Sequence, residues 1–150
     1  MNLRKTIPTL LASLILITGA TARSSIAPVL IANPVLVFQG QEPFSANSKQ
    51  WTRYRYFVEN SSDFPTELFA AAPSLPPCGT NIRASRTWVD IYDSTGKRLN
   101  GFCAFSKPGD LNQIWFALEQ DVIPPSYVYI ELNDRQTTTK YKSNLADTTL

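Results

Sequence analysis

Apolar and polar residues alternate with a period of two in several short stretches of this chain. Each such stretch predicts a strand with one buried face. Residues 88–93 read Trp-Val-Asp-Ile-Tyr-Asp and are β-branched or aromatic at four of six positions, a composition that favours a pleated strand. Val89 and Ile91 point one way, and Trp88, Asp90 and Tyr92 point the other. A bare aspartate is costly in a core, so Val89 and Ile91 face inward. Asp93-Ser94-Thr95-Gly96 supplies a polar turn with a glycine free to take positive φ. Residues 86–105 therefore predict a β-hairpin, and the rest of the chain is organised around it.

The same pattern recurs on both sides of the hairpin. Residues 51–59 place Tyr54, Tyr56 and Val58 on one face and Arg53, Arg55 and Phe57 on the other. Residues 60–63 are turn formers. Residues 67–72 fit a short strand or a single helical turn. Residues 73–79 hold three prolines and form a rigid irregular connection. Residues 112–119 put Ile114, Phe116 and Leu118 on one face, and 121–126 form a proline-containing corner. In residues 127–133, Val128, Ile130 and Leu132 face inward while Tyr127, Tyr129 and Glu131 face outward. A threonine-rich strand is expected at 137–143, and residues 35–38 fit an edge strand. Short strands, short turns and no long helical period predict an all-β fold, an antiparallel sandwich of about seven strands. The expected organisation is a leader at 1–22, a flexible lead-in at 23–44, the sandwich at 45–145 and a frayed tail at 146–150.

Leu118, the corner Pro124-Pro125-Ser126-Tyr127 and the strand 127–132 carry a resemblance to a known superfamily. Over residues 51–144 the chain resembles the fibronectin type III and immunoglobulin-like β-sandwiches. Those residues look like the end of the fifth strand, the tyrosine-corner region and the sixth strand. Trp51 is the candidate for the family's early core tryptophan. The chain also resembles secreted bacterial proteins. These resemblances imply a fold and a location, and no activity.

Arg4-Lys5, an apolar run at 7–20 and the Ala20-Thr21-Ala22 signal predict an export leader cut before Arg23. Cleavage after Ala27 would leave Pro28 behind the cut, a less favourable arrangement. The apolar run is short for a membrane span, so no stable insertion is expected after cleavage. Loss of Arg4 and Lys5 leaves 12 basic and 12 acidic residues, so no nucleic-acid partner is expected. The expected location is secreted or periplasmic. Two cysteines in an exported chain pair as a rule, so Cys78 and Cys103 are expected to form a disulfide. It would enclose 24 residues and contribute roughly 3 kcal/mol in the loop-entropy account. Asn60-Ser61-Ser62 is a glycosylation sequon, of consequence only on a eukaryotic route.

Histidine is absent from all 150 residues. That removes the usual general base and metal ligand, and excludes Ser-His-Asp, Cys-His and histidine–zinc chemistry. Asp63, Asp93, Asp110, Asp121 and Asp134 sit in turn-like stretches, where aspartate bonds local backbone. No calcium loop, phosphate loop or paired-acid motif is present, so no metal and no cofactor are expected. The feature above this background is the outward aromatic set Trp88, Tyr92, Tyr127 and Tyr129. Either it is a cross-strand ladder covered by arginines, or it binds a sugar or a protein. The function expected is a secreted, non-catalytic module binding a protein partner or glycan. The alternatives are a small carboxylate-dependent hydrolase and a structural envelope or matrix protein.

Overall fold

In the computed structural model, residues 31–76, 85–103 and 106–149 are described. The first element is a long hairpin. Strand β1 (Leu36–Ala46) returns as β2 (Lys49–Val58) through a two-residue turn. Asn47 and Ser48 both take positive φ there, the backbone that matches the twist of a tight hairpin. The pairing slips between Phe38 and Gly40, where Gly40 sits at φ 142°. This bulge reverses the alternation, so Phe38 packs towards the core while Phe44 lies on the outside. Pro43 is tolerated because β1 is an edge strand. The edge strand expected at 35–38 is present, and it runs on through residues 39–44, expected to be lead-in.

The central hairpin is β3 (Thr87–Asp93) and β4 (Arg98–Phe102). Then come β5 (Ile114–Glu119), β6 (Tyr127–Asp134), β7 (Lys140–Lys142) and β8 (Ala146–Asp147). All pairs are antiparallel. One sheet has the order β1-β2-β5; the other runs β4-β3-β6-β7, with β8 also on β6. Tyr54, Tyr56, Val58, Ile114 and Phe116 of the first sheet share one core with Val89, Ile91, Val128, Ile130 and Leu132 of the second. The inward faces assigned from alternation to Val89 and Ile91 and to Val128, Ile130 and Leu132 are therefore correct.

Residues 66–69 settle as a single 3-10 turn rather than a strand, with Leu68 and Phe69 buried. The threonine-rich strand shrinks to β7, because Asp134 N–H bonds Thr139 O and Thr138 turns through φ 61°. The tail does not fray: β8 pairs with β6, and Thr148 is buried with its N–H on Ser126 O. Trp51 lies outside the core, stacked on Phe44. Two asparagine side chains act as backbone substitutes that bind the start of β1. Asn60 accepts from Val35 N and donates to Asn33 O. Asn144 accepts from Leu36 N at 2.8 Å and donates to Leu36 O at 3.0 Å. Among the described residues, no helix is long and apolar enough to cross a membrane. The leader and Cys78 lie outside the described residues; Cys103 directly follows β4.

Candidate functional site

The four aromatics predicted as a binding face all sit on β3 and β6, on the side away from the core. The register sets Tyr92 opposite Tyr129, Asp90 opposite Glu131 and Trp88 opposite Asn133. Tyr92 and Tyr129 stack with ring centroids 5.3 Å apart. Their exposure differs. Tyr127 is 45% exposed, whereas Tyr129 is only 9% exposed, and Trp88 and Tyr92 are half-buried. Tyr129 is thus nearly closed off, as the cross-strand ladder alternative has it.

Cations from neighbouring elements cover the rings. Lys142 Nζ stands 4.0 Å above Tyr129. The guanidinium groups of Arg98 and Arg135 each lie 5.9 Å from the Trp88 ring. Such contacts reward a ring's electron-rich face and hold it in place. Arg98 reaches Trp88 through an irregularity in the β3–β4 register between Ile91 and Tyr92, which keeps Arg98 and Gly101 on the same outer side. A Cβ on Gly101 would lie 1.9 Å from Arg98 Nη2. The arginine folds over the bare glycine backbone to meet Asp90.

The same face carries a carboxylate pair that spacing along one strand did not reveal. Asp90 and Glu131 are cross-strand neighbours, a separation of about 5 Å between their Cβ atoms. Asp90 Oδ1 accepts from Trp88 Nε1 at 2.8 Å and Arg98 Nε at 2.6 Å, and Oδ2 accepts from Asn133 Nδ2 at 3.4 Å. Glu131 accepts from Lys140 Nζ at 3.1 Å. Both acids are neutralised by their own neighbours.

The remaining well-held acids build turns and ion pairs. Asp93 Oδ1 accepts from Thr95 N, Thr95 Oγ1 and Lys97 N, and the Thr95 hydroxyl leads in holding its carboxyl below the ordinary range. Asp110 Oδ2 accepts from Ser106 N, Ser106 Oγ and Lys107 N. Asp134 is buried under a two-pronged contact with Arg86 and also accepts from Gln136 N and Thr137 Oγ1. Among the described residues, no group of three acids or cysteines is placed to hold a metal ion.

A second aromatic and cationic face was missed from sequence. On the outside of the first sheet, the Arg53 guanidinium lies between the rings of Phe44 and Trp115, at 4.7 and 4.9 Å. Arg53 Nη1 donates to Glu42 at 2.9 Å. Only the bulge at Gly40 brings Phe44 and Glu42 to this side, which is why simple alternation did not find it. No family model, no curated protein and no solved structure matches this chain.

Proposed function

We propose that the chain is an exported, non-catalytic β-sandwich module of the fibronectin type III and immunoglobulin-like kind, which binds a protein partner or a glycan. Support for the fold comes from the order of the strands. β1 and β2 lie in one sheet, β3 and β4 in the other, β5 returns to the first and β6 and β7 to the second. This order is what a Greek-key exchange of the immunoglobulin-like kind would give, with β4 as the extra strand beside the third, and it supports that reading.

One observation carries the non-catalytic reading. Asp90, Glu131, Asp134, Glu42 and Glu119 are each held by a cation of the same domain. These five carboxylates are engaged by their own domain, which supports a scaffold role for them rather than contact with a substrate. Binding is assigned to the outer aromatic faces, Trp88, Tyr92, Tyr127 and Tyr129 among them. There, rings held by stacking and by neighbouring cations give a rigid surface with little ordering cost.

Export is proposed from the leader signal, and a Cys78–Cys103 bridge is proposed as what an oxidising destination would produce. N-terminal sequencing of the exported protein should begin at Arg23, and thiol titration without reductant should find no free thiol. For function, the purified chain from residue 23 should bind saturably on a glycan array or in partner pull-down. It should show no turnover on glycosidase, esterase or peptidase substrates. Turnover lost in Asp90→Asn would establish the hydrolase reading instead. Silence in every assay would leave the structural envelope or matrix reading.

A further inference from the structure

On the outer face of the first sheet, a cleft of about 320 Å3 lies between β2 and the start of β5, lined by Arg53, Arg55, Gln113, Ile114 and Trp115. Two guanidinium groups share one carboxylate there. Glu42 holds Arg53 Nη1 at 2.9 Å but meets Arg55 Nη1 only at 3.7 Å. The Arg55 side chain is 48% exposed and makes no closer ion pair among the described residues. Arg53 Nε is buried and donates to nothing among them. The cleft thus carries one positive charge in excess and donor capacity the domain leaves unspent.

The geometry points to a site for one acidic sugar residue of a glycan, with its carboxylate or sulfate on Arg55 and its ring beside Trp115. The inference deepens the reading of the chain as a binding module and rests on it. The size fits. Small-ligand clefts run from about 300 Å3 upwards, whereas a protein partner needs roughly 800 Å2 of surface on each side. The lining fits as well: a flat aromatic ring, an amide that both donates and accepts, and a guanidinium fork suited to carboxylate or sulfate. The site is also set in advance. Arg53, clamped between Phe44 and Trp115 and tied to Glu42, fixes the ring's position before any ligand arrives.

The test is calorimetry with the disulfide-intact chain from residue 23. The probes are oligogalacturonate for a carboxylate, dextran sulfate for a sulfate, neutral dextran, and polyglutamate. Binding to one or both acidic sugars should fall as salt is added. Arg55→Gln should weaken it about tenfold, the loss of one charge-assisted contact. Lys97→Gln removes the same charge from the exposed β3–β4 turn and should leave binding unchanged. The inference is overturned if polyglutamate binds as well as the sugars, if the two variants lose equally, or if no acidic sugar binds. If the chain instead binds neutral glycan or a protein with Arg55→Gln unaffected, the cleft assignment fails while the module reading stands. Catalytic turnover would end both.

Discussion

Tyr56 is fully buried between the sheets, yet its hydroxyl has no hydrogen-bond partner among the described residues. Burial pushes its phenol above the ordinary value, with Tyr54 and Asp147 adding to the rise. The ring does the packing, with centroids 5.3 Å from Phe38 and 6.0 Å from Phe116. A buried hydroxyl left unpaired costs about 1–3 kcal/mol, so Tyr56→Phe keeps the ring and removes a liability. Its denaturant midpoint is expected to stay or rise; a loss above about 1 kcal/mol would reveal a partner for the hydroxyl, such as an ordered water. Asp134 shows the opposite case, a buried polar group fully paired. The hydrogen bond from Arg86 is the main cause holding its carboxyl well below the ordinary 3.8, against the opposing effect of burial. The folded value is the depressed one, so its stabilisation is complete above the unfolded value. It fades as pH falls below about 5 towards the folded value. Denaturant titration from pH 7 to pH 2 should give a shallower acid loss for Asp134→Asn than for the parent, and a less stable variant at pH 7. Parallel curves would show that the pair does not contribute.

At the scale of elements, alternation fixes faces but not exposure. Tyr92 and Tyr129 are legible as outward because their strands keep strict period two and pair without slippage. What covers them is not legible, because Lys142 comes from a strand three residues long and Arg98 arrives through an irregular register. Such irregularities carry no dependable signal in one sequence. The bulge at Gly40 also concealed the continuation of β1 past residue 38, since its apolar residues change sides midway. The burial of Tyr129 now separates it from Tyr92. Ile91→Ala should cost about 2–5 kcal/mol as a core truncation. Tyr129→Ala should cost an intermediate amount, roughly 1–3 kcal/mol, because it loses a stacked ring and a cation contact as well as area. Tyr127→Ala should stay within about 0.5 kcal/mol, as an exposed position does. Urea midpoints check the order; Tyr129→Ala as harmless as Tyr127→Ala would mean that the ring is open after all.

For the whole molecule, the core was legible and the closure was not. Val89, Ile91, Val128, Ile130 and Leu132 announce the inner face of one sheet, and Tyr54, Tyr56, Val58, Ile114 and Phe116 that of the other. The ends of the chain gave no such pattern, because what secures them is polar. Asn144 binds Leu36 through both atoms of its amide, and Thr148 bonds the backbone of Pro125 and Ser126. Asparagine and threonine in a terminal stretch read as loop, since the sequence does not show which distant backbone they meet. Asn144 thereby ties β1, in one sheet, to the segment between β7 and β8 in the other, while Thr148 ties the tail to the start of β6. Deleting residues 146–150 tests the weight of the tail beyond Asn144. It removes the β8–β6 pairing, the buried Ala146 and the buried Thr148. One methyl group and two or three net hydrogen bonds together amount to about 2–4 kcal/mol. The truncated chain should therefore unfold at lower urea, and the amides paired with β8 should exchange faster, while the β1–β2 turn is unaffected. A truncation that leaves the urea midpoint in place would show that the tail is frayed and that residues beyond Asn144 add nothing to stability.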